Sequence, residues 1–179
     1  MAKKKNNKNK SKRTVAKLGK ELGEAKRTEL VNALRKAYNM ELETVINYRT
    51  NSIFLDGMLA KEVKESLEKD VTEELGHAGL LAKRIKVLGG RIPGSQELTM
   101  EQTTLQPTED SVDFVSVIKG VIDAETGAID QYQKIIEIAG DDDPVTEDLA
   151  IALKGDEEEH RREFVGFLRE YQQLEKMWG

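Results

Sequence analysis

Apolar positions recur at helical spacing in four long stretches of this 179-residue chain. The first predicts a helix over about 28–55, with a stripe of Leu30, Leu34, Ala37, Glu41, Val45, Tyr48 and Leu55. Asp56-Gly57 follow as a short turn, so the second helix is expected to return antiparallel. Its stripe is Leu67, Val71, Glu74, Ala78, Leu81, Ile85 and Leu88, and Gly89-Gly90 with Pro93 stop it. Residues 91–110 are polar and without period; they are long enough to travel the length of a bundle and read as a crossover. A third helix is expected from Ser111, its cap, with Phe114, Ile118, Val121, Glu125, Ala128, Tyr132, Ile135 and Ala139 on one side and Gly140 at its end. Asp143-Pro144 is a cap followed by a first-turn proline, and opens a fourth helix along Ala150, Leu153, Glu157, His160, Phe164, Phe167, Tyr171, Leu174 and Trp178. The expected fold is all-α: an antiparallel four-helix bundle of two helical hairpins joined by a long crossover.

Each helix carries a glutamate in the middle of its apolar stripe. Periodicity selects which one. Glu41 shares a face with Leu34 and Tyr48, whereas Glu43 shares one with Lys36, Asn47 and Thr50 and is expected to face outward. Asp123 and Asp130 fall on the polar side of the third helix and leave the stripe to Glu125, and Glu158 and Glu159 leave it to Glu157. Both histidines of the chain, His77 and His160, follow a glutamate by three residues, close to one turn, so Glu74 with His77 and Glu157 with His160 point the same way. A carboxylate facing a core is costly unless it is paired, protonated or bound to a metal.

The pattern is duplicated. Tyr48 follows Glu41 by seven residues, and Tyr132 follows Glu125 by seven. Two hairpins with matching sets would pack around a pseudo-twofold axis and place two metals side by side. Each tyrosine lies two turns, about 10 Å, from its own helix's glutamate, so antiparallel packing lets it reach the opposite hairpin's carboxylate and support the ligands from behind. Four carboxylates and two imidazoles form a hard-to-borderline donor set that favours iron or manganese, with zinc as an inhibitor or misloaded ion.

Composition narrows the field. Absent cysteines exclude disulfides, Cys-ligated zinc and Fe–S clusters. No apolar run approaches about 18 residues, so no membrane span is expected, and the basic N-terminus lacks the apolar stretch of a signal peptide, which makes a cytoplasmic location the expectation. The net charge of −5 is unevenly spread. Residues 1–20 hold nine basic side chains, among them Lys3, Lys4, Lys5, Lys8, Lys10, Lys12 and Arg13, and no acid, while the remainder carries a net of −14. Residues 1–26 therefore read as a disordered basic tail that binds a polyanion such as DNA by counterion release, and 27–179 as the bundle. Glycines inside helices, such as Gly120 and Gly155, each cost up to ~1 kcal/mol relative to alanine, and close approach of another helix is one reason to keep them.

In these motifs the chain resembles bacterioferritin and its relatives in the ferritin-like superfamily, over roughly residues 28–175 and most clearly in Glu41-Leu42 through Tyr48 and in Glu74 to Gly90. The resemblance implies a dinuclear centre of two Fe ions per subunit, with manganese as the alternative metal. Its ligands would be Glu41, Glu74, His77, Glu125, Glu157 and His160, with Glu74 and Glu157 bridging and Glu41 and Glu125 terminal. Haem-binding relatives place a methionine directly after the second-helix glutamate; Leu75 stands there, so haem is not expected. Only about twenty residues follow Glu157, leaving no room for the short fifth helix of 24-subunit shells. The lysine-rich tail is more similar to the DNA-binding proteins of starved cells, or Dps proteins, which assemble as twelve subunits. Those usually build the iron site between subunits, whereas all six ligands here lie in one chain.

The implied activity is that of a ferroxidase, which binds Fe(II) and oxidises it with O2 or H2O2. Iron storage and protection of DNA would accompany it, in a homo-oligomer with a twelve-subunit cage favoured over a 24-subunit cage or a dimer. The alternative is a non-storing di-metal peroxidase or catalase of the rubrerythrin or manganese-catalase kind.

Overall fold

The computed structural model describes residues 22–178. The basic cluster Lys3–Arg13 lies outside them. Among the described residues are four long helices: α1 (Glu24–Phe54), α2 (Lys61–Val87), α3 (Phe114–Ala139) and α4 (Pro144–Trp178). α1 packs along α2, and α3 along α4, as two hairpins whose closest meeting is between α1 and α3. Short 3-10 turns occupy Ser95–Glu97 in the crossover and Gly140–Asp142 between α3 and α4.

Local chemistry sets the helix ends, and two differ from expectation. α1 begins one turn before Thr28, inside the segment read as tail, and the Thr28 hydroxyl donates to the Glu24 carbonyl at 2.9 Å, a bond internal to the helix. α3 is capped by Asp113, whose carboxylate accepts from the Ser116 N–H at 3.1 Å, and not by Ser111. The Ser111 carbonyl instead accepts from the Asp56 N–H at 2.8 Å and ties the end of the crossover to the α1–α2 connection. In that connection Gly57 adopts φ +99°, which suits a residue without Cβ. At the start of α4, Asp143 caps Thr146 and also accepts a two-pronged bond from Arg84 of α2 at 2.6 and 2.8 Å, so one side chain starts a helix and joins the hairpins.

The apolar core is in two pieces. One contains Leu30, Leu34, Leu81, Ile85, Ile135 and Leu153; the other contains Leu55, Val63, Leu67, Ile118, Val121 and Phe164. Along every helix the mid-stripe glutamate falls between these clusters, so a polar layer crosses the bundle at mid-height.

Glu43 does not face outward. It is only 4% exposed, and its two carboxylate oxygens accept the backbone N–H groups of Glu101 and Gln102 at 2.7 Å each. Asn47 and Thr44 bond the Gln102 side chain at 2.9 and 2.6 Å. The face that periodicity marks as polar is thus the bed on which the crossover lies. Further along, Leu105 is fully buried in the second cluster, and a Cβ added at Gly120 would come within 2.5 Å of the Thr104 carbonyl oxygen. The close approach that this glycine permits is to the crossover, not to another helix.

Gly120→Ala is therefore expected to destabilise the bundle by about 1–3 kcal/mol in urea unfolding. Gly155→Ala, where an added Cβ meets nothing within 4 Å, is expected to stabilise it by up to ~1 kcal/mol. Equal effects of the two would show that the crossover does not bear on Gly120.

Candidate metal centre

The mid-height layer is built by one stretch from each helix. α1 supplies Glu41, α2 Glu74 and His77, α3 Glu125, and α4 Glu157 and His160, and none of the six is more than 4% exposed. They form two overlapping groups. In Glu41, Glu74, His77 and Glu157, and in Glu74, Glu125, Glu157 and His160, one donor atom from each residue lies within 4.8 Å of every other. Glu74 and Glu157 belong to both.

The contacts obey the pseudo-twofold. His77 Nδ1 lies 3.3 Å from Glu74 and 3.0 Å from Glu157; His160 Nδ1 lies 3.2 and 3.1 Å from the same two residues. The imidazole rings face each other with centroids 6.3 Å apart and planes 22° apart. The Tyr48 hydroxyl donates to Glu125 and the Tyr132 hydroxyl to Glu41. Each bond crosses between hairpins, which requires α1 and α3 to run antiparallel. Both tyrosines are fully buried, so these bonds also satisfy hydroxyls that water cannot reach.

Such a layer is unstable without positive charge. Burial, followed by the charge of Glu74, pushes Glu41 well above the usual carboxylate range, and burial does the same to Glu125. Glu74 behaves oppositely: burial acts to raise it, but the nearby His160 and His77 outweigh that and take it down to about 2. For the histidines burial disfavours the charge, yet Glu157 and Glu74 prevail and push His77 up to about 10 and His160 up to about 12. Protons thus stand in for cations. They do so imperfectly, because both Glu74 oxygens, Glu157 Oε1 and His77 Nδ1 are buried without a well-formed hydrogen bond. Carboxylate and imidazole donors that converge at this spacing and remain unsatisfied fit a pair of divalent cations.

Behind the rings stand side chains that periodicity did not single out. His77 Nε2 lies 3.4 Å from Asp156, and His160 Nε2 lies 3.5 Å from Glu73, both partly exposed. Asp70 is fully buried, with its Oδ1 4.0 Å from His160 Nε2. A signal for it exists in the sequence: Leu67, Asp70, Glu74, His77 and Leu81 form a second 3-4-3-4 stripe on α2. Leu75, by contrast, is 56% exposed.

A sequence profile of the ferritin-like domain matches residues 31–174. The chain belongs to the ferritin-like family. Among its relatives in that family, the DNA protection during starvation protein of Pyrococcus furiosus is 29% identical over 144 residues, which cover 78% of this chain and 77% of that one. Of solved ferritin-like structures, a dodecameric thioferritin, the bacterioferritin-related protein of Bacteroides fragilis, aligns with TM-score 0.77 and 25% identity over 84% of this chain and 90% of that one. The Dps protein of Vibrio cholerae aligns with TM-score 0.72 and 24% identity over 80% and 91%, a likeness of fold.

The protonation pattern has a pH signature. The histidines titrate near 6.5 when unfolded and near 10 and 12 when folded, so their contribution to stability is whole below about pH 6.5 and is lost as pH rises through the folded values. Raised Glu41 and Glu125 act in the same direction, since above about pH 4.5 the folded chain keeps protons that the unfolded one releases. Lowered Glu74 contributes above about pH 4.5 and loses that contribution only as pH falls through about 2. In chelator, the melting temperature followed by circular dichroism is expected to fall steadily from pH 6.5 towards pH 10. A flat profile over that window would overturn the assignment.

Proposed function

We propose that this chain is a ferroxidase that binds two Fe(II) ions between its hairpins, oxidises them with O2 or H2O2, and holds the ferric product within a cage of identical subunits. The observation that carries the reading is the buried layer of Glu41, Glu74, His77, Glu125, Glu157 and His160, two four-donor groups sharing two glutamates. The shared pair, Glu74 and Glu157, would bridge the metals, and Glu41 and Glu125 would be terminal ligands.

Iron is here the substrate: oxidation of two Fe(II) yields two electrons, which with two protons convert H2O2 to two waters or O2 to H2O2. The chain's own contribution is to hold the ions close enough to serve one oxidant and to stabilise the higher charge that develops. Tyr48 and Tyr132 fix one oxygen of Glu125 and Glu41 and leave the other to turn towards the ions. Because burial raises the proton affinity of Glu41 and Glu125, and the neighbouring glutamates raise that of His77 and His160, loading should release protons and weaken as pH falls. Glu73 and Asp156, partly exposed outside the rings, mark an acidic approach for cations.

A cage of twelve subunits is the favoured assembly, supported by the dodecameric Bacteroides fragilis relative. The name of the Pyrococcus furiosus relative and the nine basic residues in positions 1–20 support a role in protecting DNA, with the tail as the contact, and a cytoplasmic site of action.

Glu74→Ala and His77→Ala are each expected to reduce stopped-flow Fe(II) oxidation to the protein-free rate while circular dichroism stays that of a helical bundle; unchanged rates in both would refute the centre. Sizing before and after aerobic Fe(II) loading is expected to give a cage with many irons per chain. A dimer with two metals per chain and sustained peroxide turnover would favour the non-storing alternative. A DNA gel shift is expected to disappear when residues 1–20 are removed.

A further inference from the structure

The two hairpins repeat Glu-x-x-His, but the turn that precedes the motif is not repeated. Four residues before Glu74 stands Asp70; four before Glu157 stands Leu153. Leu153 is buried in the apolar cluster with Leu81 and Ile85. Asp70 is equally buried, its Oδ1 has no hydrogen-bond partner, and that oxygen lies 4.0 Å from Nε2 of His160. Glu73 and Asp156 stand behind His160 and His77 at matching distances, and Glu73 also comes within 4.8 Å of a His77 ring nitrogen, whereas Asp70 has no counterpart in the other hairpin: within 4.0 Å, two carboxylates lie behind His160 and one behind His77.

Asp70 has few other claims on it. Lys69 Nζ lies 3.5 Å from the same oxygen but is 71% exposed, so its charge is largely spread into solvent. The Ser66 hydroxyl touches the other oxygen only at the 3.5 Å limit. A third cation beside Asp70, Glu73 and His160 is disfavoured by the ring itself. With Nδ1 turned to the centre, Nε2 carries the hydrogen, and it then donates and does not ligate. A carboxylate behind that N–H makes the inner nitrogen more basic and adds negative potential at the cation it faces.

We propose that Asp70 makes the two cation positions unequal. The position served by His160 with Glu74, Glu125 and Glu157 then binds a divalent cation more tightly than the position served by His77 with Glu41, Glu74 and Glu157. The inference rests on the dinuclear reading above and deepens it: the centre fills in order, His160 side first, although its directly facing residues are symmetric.

Anaerobic titration of the full chain with Co(II), followed by calorimetry and visible absorption, tests this without iron oxidation. Repulsion between two ions weakens the second step in any such centre, so unequal steps in the unaltered chain do not decide the matter. His77→Ala and His160→Ala each leave one complete position. The His77→Ala chain is expected to bind one Co(II) about tenfold more tightly than the His160→Ala chain. Adding Asp70→Asn is expected to remove most of that difference by weakening the His77→Ala chain alone, and Asp70→Glu to restore it. Equal affinities in the two histidine variants, or an equal loss in both on Asp70→Asn, would overturn the inference while leaving the dinuclear centre standing. If the unaltered chain takes up no Co(II), the dinuclear reading fails and this inference with it.

Discussion

Mutual repulsion among four inward-facing carboxylates is the constraint on which the molecule depends. Glu41, Glu74, Glu125 and Glu157 are all essentially removed from water, at one depth, between two apolar clusters. Nothing in the surrounding packing offsets this directly. The compensation comes from the two imidazoles, from two tyrosine hydroxyls reaching across the hairpins, and from bound protons. Each compensating group is placed by its helical offset from a glutamate, so the register of all four helices is pinned to the charge problem at the centre.

Much of this was legible in the sequence because the costly residues are few and regularly placed. Glutamates at 41, 74, 125 and 157 interrupt stripes that are otherwise apolar, and in the folded chain all four are buried together. The cross-hairpin reach of Tyr48 and Tyr132 followed from a two-turn offset and antiparallel packing. What escaped periodicity was whatever depends on a segment that has none. Glu43, Thr44 and Asn47 look like a solvated face until the crossover lies on them, and no local pattern announces where a twenty-residue loop will run. Asp70 was passed over for a related reason: α2 offers two interleaved stripes, and the one through Val71 and Ala78 is the more apolar.

The crossover also alters the meaning of single residues. Gly120 belongs to α3 by sequence, yet its lack of a side chain serves the backbone at Thr104. Asp143 is a helix cap by its position and an inter-hairpin ion pair by its contact with Arg84. In both cases a residue that local rules explain adequately also makes a contact distant in sequence, Gly120 with the crossover and Asp143 with the opposite hairpin.

That divided interior has an evolutionary corollary. Because the apolar groups around Leu34 and those around Phe164 form separate clusters, a substitution at one end of the rods is insulated from the other, and effects at opposite ends should add. Each end can therefore repack without disturbing the other, while the waist between them, where six polar side chains depend on one another, has no such freedom.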